Sequence, residues 1–287
     1  MARKGHRVLA QKVGTGLARG FFLKGTLRPI IKHYVHPRVT GLENLSDQVP
    51  PLILAANHSS HMDTPLILNN LPRELRRRTL VAAASDYFFA NRLLGIFVSV
   101  AVGAVPLDRQ FVSRQNLATL ERLLEQGWCL VVYPEGSRTP DGRLYKGKTG
   151  VARLALAAHV PVIPVGISGT YSSMPAGRSW PISGHAEVNF GKPLTFDRYQ
   201  HGEPTRITAR AVTDEIMYQI MVLGGLSYVD EYVSDVKAKK QAARAAPPEK
   251  PDDSGLAAPP RRQSVVTGGW RKTWLSRASS PEWSPTS

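Results

Sequence analysis

Two polar clusters, each directly after an apolar run, hold side chains that could do acid–base chemistry. In the first, NHSSHMD, an aspartate follows a histidine at a distance of five residues. Across a tight turn, the Asp63 carboxylate can reach one imidazole nitrogen of His58, which fixes the tautomer and leaves the other nitrogen basic. His58 is then competent as a general base. In the alternative interpretation, Asp63 is a first-turn carboxylate favoured by a helix dipole, and His58 is an ordinary turn residue.

The second cluster, YPEGSRT, has groups suited to binding a phosphorylated alcohol. Glu135 offers a carboxylate to hydroxyl groups, Gly136 permits close approach of the backbone, and Arg138 suits a phosphate in bidentate geometry. A third segment, GAVPLDR, ends in Arg109, which could hold the same phosphate. Glycine turns and solvated arginines are also common at strand ends without a function, so only the combination of the three segments is specific.

The segments around these clusters alternate between strand and helix patterns. The predicted strands are PLILAAN, TLVAAAS, AVGAVPLD, CLVVYPE, VPVIPVGISG and a late HAEVNFGKPL. The predicted helices are HMDTPLILNNL, YFFANRLLGIFVS, SRQNLATLERLLEQG, GVARLALAAH and a closing ITARAVTDEIMYQIMVLGG. Such alternation predicts an α/β fold with a mostly parallel central sheet flanked by helices. Open sheets place their sites at the carboxyl ends of strands, where both clusters fall.

The formal charge of +15 lies entirely at the two ends of the chain. Residues 1–42 hold nine Lys/Arg and no Asp or Glu, the stretch from Lys237 onward carries +6, and Glu43 to Asp235 sums to zero. A nucleic-acid binder would carry its cations on the folded face, so the neutral body disfavours a nucleic-acid partner.

The charge and hydrophobic patterns predict three parts. Residues 1–37 form a basic amphipathic helical segment that associates with an anionic membrane surface, 38–236 form the α/β domain, and 237–287 form a disordered basic Pro/Ala-rich tail. Two alternatives stay open: the N-terminal helix packs on its own domain, and the tail serves only solubility.

The composition also excludes several kinds of site. Cys129 is the only cysteine, so an intrachain disulfide and a zinc site of cysteines are excluded. The longest apolar stretch, Leu93 to Leu107, has about 15 residues, fewer than the roughly 20 that span a bilayer. We therefore expect no transmembrane helix, no signal peptide, no metal and a peripheral protein on the cytoplasmic face of the cell membrane.

The ordered combination of NHSSHMD, GAVPLDR, YPEGSR and VPVIPVGI resembles the lysophospholipid acyltransferase family, whose best-known branch makes phosphatidic acid from 1-acylglycerol-3-phosphate. The resemblance covers roughly residues 38–195 and implies a glycerophosphate-acyltransferase-like fold for the 38–236 domain. It also implies a role for each matching residue: His58 is the base, Asp63 orients it, Arg109 and Arg138 hold the acceptor's phosphate, Glu135 and Gly136 position its glycerol, and Ser137 stands where the family commonly has Thr. The segment Val160 to Val165 is expected near the acyl donor.

The implied reaction transfers a fatty acyl group from acyl-CoA or acyl carrier protein to the free hydroxyl of lysophosphatidic acid, without a cofactor. Another lysophospholipid or a glycolipid could be the acceptor instead. Two distant alternatives are a P-loop nucleotide hydrolase and a non-enzymatic lipid-binding protein. The first rests on GRLYKGKT, which fits the Walker A pattern but does not open directly from a strand and is followed by no strand ending in a magnesium-binding Asp.

Overall fold

The strands and helices come from a computed structural model that describes residues 17–84, 102–107, 113–175, 178, 180–199 and 205–245. All of these belong to the unit Met1–Ala245. The strands are β1 (Pro37–Thr40), β2 (Ile53–Ala56), β3 (Thr79–Ala84), β4 (Ala104–Leu107), β5 (Cys129–Val132), β6 (Leu144–Tyr145), β7 (Val162–Ser168), β8 (Ala186–Phe190) and β9 (Tyr228–Val229).

The helices are α1 (Leu17–Phe21), α2 (Arg28–Tyr34), α3 (Glu43–Ser46), α4 (Asp63–Asn70), α5 (Arg73–Arg77), α6 (Arg114–Glu125), α7 (Gly150–Ala158), α8 (Thr170–Ser173), α9 (Arg206–Gly224) and α10 (Val233–Ala245). A π-helical segment, Phe22–Leu27, joins α1 to α2, and a short 3₁₀ helix spans Asp197–Tyr199.

Local side-chain chemistry explains where helices α6 and α9 begin and where α9 ends. The Ser113 hydroxyl accepts a hydrogen bond from the Asn116 N–H at 3.2 Å, which caps α6. Thr205 does the same for the Thr208 N–H at 3.1 Å before α9. Gly225 stops α9 in the left-handed conformation, with φ of 58°, which glycine adopts without a Cβ penalty.

Seven of the described strands form one sheet in the order β1-β8-β7-β2-β5-β3-β4. Neighbouring strands run parallel except β7 and β8, which are antiparallel. Strands β6 and β9 pair separately as a parallel ribbon. The predicted fold class is therefore confirmed: the chain has a mostly parallel central sheet flanked by helices.

Alternate residues of the central strands fill two separate cores. Ile53 and Ala55 of β2 pack in a core with residues of α6, α7 and α9. Leu54 and Ala56 face the other side, with residues of α4 and the N-terminal helices. Because both faces are covered, β2 and β5 are buried along their whole length, which explains their continuous apolar runs.

The N-terminal helical segment packs on its own domain. Leu23 and Ile31 are buried in the core that lies on the α4 side of the sheet. Arg19 is also buried and donates to the carbonyl oxygen of Thr79 at 2.9 Å. Phe21 remains 76% exposed. In the described residues, no helix is long and apolar enough to cross a membrane.

The C-terminal helix differs from the sequence prediction. The boundary expected at residue 236 falls inside α10, so residues 237–245 are helical where a disordered tail was expected. Their Ala, Lys, Gln and Arg content favours a helix, and buried Val233 attaches its first turn to the domain. Strands β1, β6 and β9 were not predicted, and the predicted helix YFFANRLLGIFVS lies outside the described residues.

Candidate active site

The site lies where three loops leave neighbouring strands. In the sheet, β2 lies between β5 and β7, and all three run in the same direction. The loop after β2 carries His58, the loop after β5 carries Glu135, and Thr170 follows β7. The carboxyl ends of parallel neighbours meet at one edge of the sheet, and so these side chains come together.

His58 and Asp63 form a hydrogen-bonded pair. The His58 Nδ1 lies 2.8 Å from Asp63 Oδ2. Because a carboxylate oxygen accepts, Nδ1 carries the hydrogen and Nε2 holds the free electron pair. Among the described residues, no protein group hydrogen-bonds to Nε2. The His58 side chain is 19% exposed, so a substrate hydroxyl can reach this nitrogen.

Asp63 is fixed by every group around it. The backbone N–H groups of Ser59 and Ser60 each donate to Asp63 Oδ2 at 2.8 Å. The Thr170 hydroxyl donates to Oδ1 at 2.6 Å and also lies 2.9 Å from the Ser59 hydroxyl. Asp63 is fully buried at the first residue of α4, where the helix dipole favours an anion. Asp63 is thus both the first residue of α4 and the hydrogen-bond partner of His58, and its role in orienting a general base stays a prediction.

The His58 ring is held from its face as well as from its edge. It stacks on the Tyr133 ring with a centroid separation of 4.0 Å and an interplanar angle of 17°. The Tyr133 hydroxyl is in turn within 2.6 Å of the Thr64 hydroxyl. The imidazole therefore has one orientation in which Nε2 points away from Asp63.

Glu135 joins the first and second loops. Its Oε2 accepts from the His58 backbone N–H at 2.7 Å, and its Oε1 accepts from the Tyr145 N–H at 2.9 Å. Burial raises the pKa of Glu135 to about 8, against the opposing effect of these two N–H groups. Glu135 is 1% exposed, so it acts on the site by holding the His58 backbone. Its expected contact with the acceptor glycerol stays a prediction.

The turn after Glu135 is bonded to the His58 loop and carries a cation, Arg138. Gly136 has φ of 78°, a conformation that favours glycine, and the Thr139 N–H binds the His58 carbonyl oxygen at 2.8 Å. Burial, followed by the charge of Arg138, lowers the pKa of His61 to about 4. His61 is therefore neutral near pH 7, and the charge of Arg138 acts on its ring. Ser137 lies on the same turn and is half-buried.

The other predicted segments differ in how the structure places them. Arg109 lies outside the described residues. The GRLYKGKT segment does not form a phosphate loop, since Leu144 and Tyr145 are strand residues inside it. Val162 pairs with Ile53 at the start of β2, so the segment Val160 to Val165 begins at the opposite edge of the sheet. In the described part of the chain, no group of three or more His, Cys, Asp or Glu side chains is placed to hold a metal ion.

Several positioning residues were missed by the sequence reasoning. The Asn57 amide exchanges two hydrogen bonds of 2.8 Å with the backbone of Ile167, which ties the His58 loop to β7. Thr170 reaches Asp63 across 107 positions of sequence. Lys237 donates to the turn that carries Arg138. Of these residues, only Tyr133 could have been found from the sequence, because it is an aromatic residue directly before the PEG motif.

Residues 36–168 match the Acyltransferase family. The chloroplastic 1-acyl-sn-glycerol-3-phosphate acyltransferase BAT2 of Brassica napus is 32% identical over 167 residues, which are 54% of this chain and 44% of that protein. The 1-acyl-sn-glycerol-3-phosphate acyltransferase of Pseudomonas aeruginosa is 26% identical, over 52% of this chain and 53% of the relative. Over residues 36–168, this chain is therefore similar to the Acyltransferase family.

The likeness in fold extends beyond residues 36–168. The 1-acyl-sn-glycerophosphate acyltransferase PlsC of Thermotoga maritima superposes with a TM-score of 0.52 at 23% identity, covering 83% of each chain. This likeness concerns the fold. In sequence, the chain spans about half the length or less of the curated relatives it matches.

Proposed function

We propose that this chain transfers a fatty acyl group to the free hydroxyl of 1-acylglycerol-3-phosphate, giving phosphatidic acid. The donor is acyl-CoA or acyl carrier protein. The observation that carries the proposal is the His58–Asp63 pair, whose orientation is fixed by Thr170 and by two backbone N–H groups. Relatives with this activity by name support the same conclusion.

The geometry supports direct transfer in a ternary complex. His58 Nε2 takes the proton of the acceptor hydroxyl as its oxygen attacks the thioester carbonyl carbon. The C–S bond then breaks, and the leaving thiolate takes the proton from the imidazolium. Asp63, 2.8 Å from Nδ1, stabilises the imidazolium that forms between these steps.

The serines of the His58 loop and the buried Cys129 at the start of β5 are unsuited to forming an acyl-enzyme. The Ser60 hydroxyl donates to the Met174 carbonyl oxygen at 2.9 Å, and the Ser59 hydroxyl pairs with Thr170. Burial raises the pKa of the Cys129 thiol to about 12, which keeps it protonated. The serines contribute backbone N–H groups to Asp63, and the acyl group passes directly from donor to acceptor.

The charge at the site favours an acceptor with a phosphate. Arg138 lies close to His61 and follows the turn bonded to the His58 loop. A guanidinium binds phosphate through two parallel hydrogen bonds. Another lysophospholipid or a glycolipid would place a less anionic group here. Arg109 is proposed to bind the same phosphate, by resemblance alone.

A panel assay tests the proposal. Purified protein is given lysophosphatidic acid, lysophosphatidylcholine or a glycolipid acceptor, each with acyl-CoA and with acyl carrier protein. We expect the highest kcat/KM with lysophosphatidic acid. A zwitterionic or neutral acceptor that is used ten times better would overturn the acceptor assignment. Lipid binding unaffected by His58→Ala, with no turnover of any acceptor, would identify a lipid-binding protein instead.

We also propose that the chain acts at the surface of an anionic membrane. Lys24, Arg28 and Lys32 are exposed on the N-terminal helical segment, four positions apart, and Phe21 is exposed beside them. A lysolipid acceptor resides in the membrane, so an enzyme for it gains from binding there.

A further inference from the structure

Lys237 reaches the site from a helix that lies outside the segment matching the family. It is on α10, near the end of the described chain, whereas the match ends at residue 168. Its Nζ donates to the carbonyl oxygen of Arg138 at 2.7 Å and to the Ser137 hydroxyl at 3.1 Å. An ammonium group has three N–H donors, so one remains for a ligand at this turn.

The partners of Lys237 do not neutralise its charge. Both partners are uncharged oxygen atoms. Burial lowers the pKa of Lys237 most; the charge of Arg138 lowers it further, and Glu135 raises it. Glu135 is itself buried, which raises its pKa to about 8, so its carboxyl group remains largely protonated at neutral pH. Lys237 and Arg138 thus bring two positive charges to the same turn.

A third cation lies beside the same turn. A Cβ added to Gly136 would lie 3.4 Å from Lys148 Nζ, so this ammonium is adjacent to the backbone between Glu135 and Ser137. Cations gathered around one turn repel each other, and a bound anion relieves that repulsion. The surroundings of this turn therefore match a dianionic phosphate monoester in charge as well as in donors.

We propose that Lys237 binds the acceptor's phosphate together with Arg138, which makes helix α10 part of the acceptor site. The inference rests on the proposed function, since it names a phosphate-bearing acceptor. It adds a binding residue that the family's motifs do not contain. Helix α10 then has two roles, because it also packs on the domain through buried Val233.

The test compares Lys237→Met, which keeps the length but loses the charge, with Lys237→Arg, which keeps the charge. We expect Lys237→Met to raise the KM for lysophosphatidic acid roughly tenfold, with kcat little changed and the KM for 1-acylglycerol unaltered. Lys237→Arg should restore most of the affinity. Lys240→Met is the matched control, since Lys240 is exposed on the same helix, and it should behave as the wild type.

A direct binding measurement separates this inference from the proposed function. Glycerol 3-phosphate is titrated into each protein by calorimetry, and we expect its Kd to rise roughly tenfold in Lys237→Met. If the wild type binds glycerol 3-phosphate through Lys237 but does not acylate lysophosphatidic acid, only the proposed function is contradicted. Equal KM changes for the two acceptors would show that Lys237 merely clamps the turn, and unchanged binding of the probe would likewise overturn its role.

Discussion

Replacing Asp63 by Asn removes a charge while leaving the hydrogen bonds around it largely intact. The Asn oxygen can accept from His58 Nδ1 and from the N–H groups of Ser59 and Ser60, and its amide can donate to the Thr170 hydroxyl. The tautomer of His58 is therefore kept. What is lost is the attraction between the carboxylate and the imidazolium that forms during transfer.

The loss follows from the separation of the two groups. With Nδ1 and Oδ2 2.8 Å apart, the centres of charge lie about 4 Å apart, and at an effective dielectric constant near 20 their attraction is about 4 kcal/mol. Since about 1.4 kcal/mol changes a rate tenfold, we expect kcat to fall about 10³-fold, with KM for the acceptor little changed.

The assay is steady-state acyl transfer with saturating donor, beside a thermal melt of each protein. Thr170→Val is the matched control, because it removes the hydroxyl that contacts Oδ1 and the Ser59 hydroxyl but leaves Oδ2 on His58. It should lower kcat by about tenfold at most. An Asp63→Asn protein with a wild-type melt and a kcat within threefold of wild type would refute the reasoning.

Three further outcomes are expected. Burial raises the pKa of Glu135 from 4.5 to about 8, so between these pH values the folded protein binds more protons than the unfolded chain. The free energy of unfolding should therefore fall as pH rises from about 4.5 to 8. Glu135→Gln should remove this slope in urea titrations. Substituting Gln for Lys24, Arg28 and Lys32 should weaken sedimentation with phosphatidylglycerol vesicles at low salt but not at high salt, whereas equal binding at low salt would contradict the membrane proposal. In Gly166→Ala, the new Cβ would lie 2.3 Å from the backbone nitrogen of Gly224, so calorimetry should show a loss of about 3 kcal/mol, and an unchanged melting temperature would count against this packing.

The fold class and the contact between His58 and Asp63 could be predicted because their signals are local. Buried parallel strands leave continuous apolar runs such as CLVV, and a spacing of five residues allows Asp63 to reach back to His58 across one turn. Both depend on residues close in sequence. The order of the motifs along the chain then placed the loops at one edge of the sheet.

The remaining parts of the site depend on contacts that no local pattern shows. Thr170 and Lys237 meet their partners across 107 and 100 positions of sequence, respectively. The role of Glu135 was read from its residue type, yet its burial under the loop is what directs both oxygens to backbone N–H groups. The N-terminal segment shows the same limit, since its apolar spacing suits a membrane and a protein core equally well.

The central claim is tested most directly by following labelled lysophosphatidic acid through one purified protein and one variant. The wild type, given acyl-CoA or acyl carrier protein, should convert the label to phosphatidic acid. His58→Ala should lower the rate by about 10²- to 10⁴-fold with an unchanged melting temperature, because His58 Nε2 is the group that takes the proton. Turnover that survives in His58→Ala, or a folded wild type that forms no phosphatidic acid with either donor, would contradict the account.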